Sequence, residues 1–144
     1  MTRGALPIGL FFSGAAPALA AESFALKPGQ WDTNRSTVIG GAEDTASTAR
    51  CITSETPPLG PADLAALVEP AGICEILDTA FENDLSLVEA LCTGGAIGRA
   101  SLLVIPGEDA FAIFSDADFV SADGASAHGT VNVESHFAGT CAAP

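Results

Sequence analysis

Four cysteines constrain this chain more than any other feature: Cys51, Cys74, Cys92 and Cys141, in a sequence of 144 residues. What they mean depends on where the chain is sent. Thr2 and Arg3 give a cationic start, and "GALPIGLFFSGAAPALA" follows as an apolar run broken by Pro7 and Pro17. Ala18-Leu19-Ala20 is a small-x-small site, so residues 1–20 read as a signal peptide cleaved after Ala20 or Ala21. The uninterrupted apolar stretch falls short of the roughly 20 residues that a membrane-spanning helix needs. The expected location is the periplasm or the medium. In an oxidising compartment an even number of cysteines in a small domain reads as disulfides, here two. No Cys-x-x-Cys occurs, which removes a thioredoxin-like redox site and a zinc knuckle.

Four cysteines allow three pairings. Between Cys74 and Cys92 runs "EILDTAFENDLSLVEAL", two apolar-rich segments around Glu82-Asn83-Asp84. Asn and Asp accept the backbone conformations of a hairpin tip. A tip centred on Asn83 sets Cys74 opposite Cys92, with facing Cβ atoms about 4.5–5.5 Å apart, close enough to bridge after a small adjustment. The local pattern therefore favours Cys74–Cys92, leaving Cys51 to join Cys141.

Residues 21–144 are enough for one domain and too few for two independent cores. Most of that length reads as strand. "GQWDTNRSTVIGG" ends in a Gly40-Gly41 turn, "TASTARC" is a weaker partner, and "AIGRASLLVIPGEDAFAIFSD" holds two strands around Pro106-Gly107-Glu108-Asp109. In "AHGTVNVESHFAGTC", Val131, Val133, Ser135 and Phe137 alternate with Thr130, Asn132, Glu134 and His136. One helix stands out: Pro61 in the first turn, Asp63 near the positive end, Leu64, Leu67 and Val68 on one face, and Pro70 and Gly72 as stops. The expected architecture is mainly β: an antiparallel sheet, curved or barrel-like, with one short helix and two disulfides. The run Leu102-Leu103-Val104-Ile105 is apolar on both parities, which favours a strand covered on both faces over the alternative, an apolar ligand pocket in the concavity of a curved sheet. Trp31, the sole tryptophan, follows a Pro28-Gly29 bend at a strand start and reads as a core anchor.

The ordered features resemble a known family. "LKPGQW" at 26–31, "CITSE" at 51–55, single cysteines at 74 and 92, and "GTC" at 139–141 match the succession found in the domain of unknown function 3617 family. Its members are short exported bacterial proteins that run from a signal peptide through L-K-P-G-x-W to a terminal Gly-x-Cys. Members commonly place basic residues before that terminal motif, where this chain has His136-Phe137-Ala138. Many also have Met-rich strands, whereas the one Met here is residue 1. The resemblance spans residues 21–144 and implies an exported β-rich domain; it transfers no catalytic residue.

Charge narrows the function. Once residues 1–20 leave, Lys27, Arg35, Arg50 and Arg99 face all 18 acidic residues. Such a surface repels phosphate backbones and anionic lipid, which argues against nucleic acid and membrane-surface partners and leaves a basic or apolar envelope ligand, or a divalent cation. For calcium, Asp116, Asp118 and Asp123 offer oxygen ligands near turns, with Glu108 and Asp109 across a hairpin, but the twelve-residue EF-hand pattern is absent. This remains a weak candidate beside ordinary solvated carboxylates. On a continuous strand His128 and His136 would stand about 26 Å apart and cannot share a metal. No Gly-x-Ser-x-Gly elbow exists, and oxidised cysteines supply no thiolate. The sequence therefore points to a non-enzymatic exported domain, without a cofactor, that binds a small ligand or an envelope partner. The rival expectation is a structural or stress-protective envelope protein with no defined ligand.

Overall fold

The computed structural model describes residues 23–121 and 123–141. The signal-peptide reading and its cleavage site lie outside these residues. Seven strands form one antiparallel sheet: β1 Gly29–Ile39, β2 Ala42–Ile52, β3 Ile73–Glu82, β4 Leu85–Thr93, β5 Ile97–Ile105, β6 Ala110–Val120 and β7 Ser126–Gly139. Their order is β2-β1-β7-β6-β5-β4-β3. The single described helix, α1, spans Pro61–Val68. Of the two expected shapes, the barrel is not formed, because β2 and β3 are separate edges of an open sheet.

Turn chemistry sets this order. Gly40 and Gly41 both have positive φ and fold β1 onto β2 through a two-residue turn. Asn83 and Asp84, at φ 53° and 64°, do the same between β3 and β4. The tip therefore lies between Asn83 and Asp84, half a residue beyond the position expected from the sequence. An unbroken ladder from this tip would set Cys74 against Thr93. A bulge between Ile76 and Asp78 absorbs Leu77, shifts the register by one, and brings Cys74 opposite Cys92. Both expected disulfides are formed, Cys74–Cys92 and Cys51–Cys141.

From Thr53 to Gly72 the chain must travel from one edge of the sheet to the other. It crosses one face, burying Leu59, Leu64, Ala65 and Val68 against Val88, Leu102, Ile113, Val131 and Val133. Asp63 caps α1 by accepting the Gly60 N–H at 2.9 Å. At the other end, Glu69 is buried, and its carboxylate accepts the N–H of Ala71 at 3.2 Å and of Ile97 at 2.9 Å. This ties the helix end to the turn between β4 and β5. Gly95 is required there, since a Cβ would fall 2.6 Å from the Glu69 carboxyl carbon.

The "LKPGQW" stretch closes the other side of the core. Trp31 is 1% exposed, and its indole N–H donates to the Lys27 carbonyl at 2.9 Å, so the Pro-Gly bend returns the chain onto its own ring. Phe111 and Phe137 flank the indole at centroid distances of 6.2 and 6.0 Å. The Lys27 ammonium lies 4.1 Å from the centre of the Phe137 ring and pairs with Asp109. Truncating a buried aromatic of this size to Ala costs about 3–5 kcal/mol.

Gly29, at φ 143°, touches this cluster so closely that a Cβ would overlap the Phe137 ring and the Gly139 carbonyl. Gly29→Ala should cost roughly 2–3 kcal/mol, read as a lower urea midpoint at unchanged slope. The bridges close loops with sequence separations of 18 and 90. Loop entropy assigns them about 3 and about 4.6 kcal/mol respectively. Replacing Cys51 and Cys141 by Ala should therefore destabilise more than replacing Cys74 and Cys92; the reverse order in thermal melts would contradict the loop argument.

Candidate functional site

Among the described residues, the crossing connection covers one face of the sheet and no element lies over the other. The expectation that Leu102-Leu103-Val104-Ile105 is covered on both sides is thus corrected. Leu102 and Val104 are buried under the connection, while Leu103 is half-buried and Ile105 is 38% exposed on the open face. The eight-residue helix packs on the covered face alone.

Strand register defines what the open face presents. One row crosses all seven strands: Ala80, Leu87, Leu103, Phe114, Asn132, Ser36 and Thr45. Its first four members are apolar and its last three polar, and the change falls between β6 and β7. Leu87 is 48% and Phe114 43% exposed, so the apolar segment meets solvent. The adjacent row begins Asp78, Glu89, Ser101, Asp116 and Thr130, placing three carboxylates along one side of the apolar segment. Together they enclose a trough of about 540 Å³ on the open face.

Two of these carboxylates have a basic side chain beside them. Glu89 Oε1 is 3.8 Å from Arg99 Nε, and Asp116 Oδ1 is 3.8 Å from His128 Nε2. Both pairs are solvent-exposed and worth little on their own. Asp78 accepts the Thr79 N–H at 2.9 Å. Ser115 Oγ, buried without a hydrogen-bond partner, belongs to the covered face, between Leu102 and Val131 in the register.

The calcium candidates separate into two settings. Asp116 and Asp118 point from the open face of β6 on either side of His128, whose Nδ1 is 3.4 Å from Asp118 Oδ1. Asp123 lies beyond the strand end and is engaged in its own turn, accepting from the Ser121 hydroxyl and from the Ala125 N–H at 3.0 Å. Among the described residues, no group of three His, Cys, Asp or Glu is arranged to hold a metal ion. His136 stands on β7 opposite Asp32 of β1, in a different part of the face from His128. The four cysteines form structural bridges, and none is free.

Leu87, Phe114, Asp78 and Glu89 were not singled out in the sequence. A signal for Leu87 was present. On two adjacent strands, Leu85 and Leu87 and then Leu103 and Ile105 share the parity opposite to the core residues Val88, Ala90, Leu102 and Val104.

The Ser121 hydroxyl, then the Ala125 N–H, hold the Asp123 carboxyl below its ordinary range. A depressed carboxyl contributes to the turn above its unfolded value of about 3.9, and that contribution fades as pH falls through the lower folded value. A side-chain NMR titration should place the Asp123 midpoint below about 3.9, and Asp123→Asn should remove the associated shifts at Ser121 and Ala125. A midpoint at or above that value would contradict the turn geometry. Comparison with protein-family models, curated proteins and solved structures gave no match to this chain.

Proposed function

We propose that the chain is an exported, non-enzymatic binding domain whose open sheet face takes a small ligand with an apolar body and a cationic group. The observation that carries this reading is the uncovered Leu87–Leu103–Phe114 stripe beside Asp78, Glu89 and Asp116. Exposed apolar side chains that share a register row form a contiguous patch, which soluble domains keep small unless it has a use. A trough of about 540 Å³ lies within the range of small-ligand sites. The flanking carboxylates favour a cation and oppose an anion, as does the excess of 18 acidic over 5 basic residues.

Two disulfides in so short a chain support export to an oxidising compartment. The ordered motifs support placement in the domain of unknown function 3617 family, and the fold gives them physical work. "LKPGQW" packs the core corner, Cys51 and Cys141 bridge, and Cys74 and Cys92 bridge. The open apolar stripe weighs against a purely structural envelope role, which would leave its exposure unexplained.

Octylamine and octanoate share a chain and differ in the sign of their charge. At neutral pH and low salt, octylamine should bind at least about tenfold more tightly, a difference of about 1.4 kcal/mol, and added salt should weaken it. Leu103→Ser should abolish binding without unfolding the domain, and amide shifts should map to β4, β5 and β6. Equal affinity for the two probes, or shifts confined to other strands, would sink the reading.

A further inference from the structure

We infer that the ligand of the open face also carries a polyhydroxylated, sugar-like head, seated on the half of the face formed by β7, β1 and β2. This inference rests on the proposed use of the open face and specifies the other end of the ligand.

The trough does not end at Phe114. A second depression of about 420 Å³ and a third of about 400 Å³ lie on the same face, over β7, β1 and β2. Asn132 lines both the apolar trough and the second depression, while Asn34 and Ser47 line both the second and the third. The three are therefore steps of one surface, and the register shows the same continuity, because Phe114 pairs with Asn132, and Asn132 with Ser36.

The chemistry changes sharply along it. Beyond Phe114 the open face presents amides and hydroxyls, Asn132, Asn34, Ser36 and Ser47, interspersed with the carboxylates Asp32 and Glu134 and with His136, while Arg35 also lines the second depression. These groups are already held in bonding geometry: Ser47 donates to Asn34 Oδ1 at 2.7 Å, and Ser36 donates to Glu43 at 2.6 Å. An alkyl continuation would strip water from them without replacing its hydrogen bonds. An anionic head would meet carboxylates. An ammonium only donates, so the amide N–H groups would go unused. A hydroxyl both donates and accepts, and so serves amides and carboxylates together. At the boundary, the exposed Phe114 ring offers an apolar surface for the C–H face of a pyranose.

The dimensions agree. From Leu87 to Phe114 is two inter-strand spacings, about 10 Å, and the next two spacings reach Asn132 and Ser36. A ligand with a medium alkyl chain and one sugar ring would cover the row from β4 to β1.

The test uses octyl β-D-glucopyranoside below its critical micelle concentration, with octylamine as the second probe, on the oxidised protein. Octyl glucoside should shift amides on both halves, at Leu103 and Phe114 and at Asn34 and Ser47. The double variant Asn34→Ala, Ser47→Ala should weaken octyl glucoside by about fivefold or more and leave octylamine within about twofold. Shifts that stop at Phe114, or a variant that weakens both probes alike, would overturn the head-group assignment. If octylamine binds and octyl glucoside does not, the head-group assignment falls while the open-face reading stands. If neither binds, the open-face reading fails and this inference with it.

Discussion

A chain that leaves a sheet at one edge and resumes at the opposite edge must lay its connection across a face. In this protein the segment from Thr53 to Gly72 does so, and most other features follow from that crossing. It supplies the second layer of the core, with Leu59, Leu64, Ala65 and Val68 over Leu102, Ile113, Val131 and Val133. It makes the buried Glu69 necessary, because the helix end must be fixed where the chain turns down into β3, and backbone N–H groups of Ala71 and Ile97 are available to fix it. Among the described residues there is one such connection, and it covers one face.

Much of this was legible in the residues. Gly40-Gly41 and Asn83-Asp84 announce hairpins because few residues tolerate the positive φ angles involved, and at the Pro106-Gly107 turn a Cβ on Gly107 would overlap the Ala110 carbonyl. The alternation of Val131, Val133 and Ser135 with Asn132 and Glu134 gives a face assignment that the burial repeats. What escaped was whatever depends on more than two strands at once. The run Leu102-Leu103-Val104-Ile105 carries the same letters whether its second face is covered or open. Deciding between them needs the reach of the connection, which is a property of the assembled sheet. The bulge at Leu77 escaped for a related reason: it reconciles a two-residue turn with a disulfide eight residues away, and neither constraint alone requires it.

The candidate site was less legible than the fold. Asp116, Asp118 and Asp123 look like neighbours in sequence, yet the end of β6 sends Asp123 into a turn of its own. Asp78, Glu89 and Asp116 come from three strands and become a row only through register. The acidic character of the chain was visible from composition, but its meeting with an apolar stripe along a shared boundary was not. That boundary is where the chemistry of the face is concentrated.

The Cys51–Cys141 bridge has a mechanical consequence. It joins the end of β2 to a residue two past the end of β7, at a sequence separation of 90. A pull applied to the two ends of the oxidised chain passes along β1 and β2 to Cys51 and leaves through Cys141. The strands from β3 to β7 lie off that line. Tension can unzip the β1–β2 margin, but about 300 Å of contour stays locked behind the bond, at roughly 3.4 Å for each enclosed residue. The five strands that hold the apolar trough are thus the part of the sheet that an extending force reaches last.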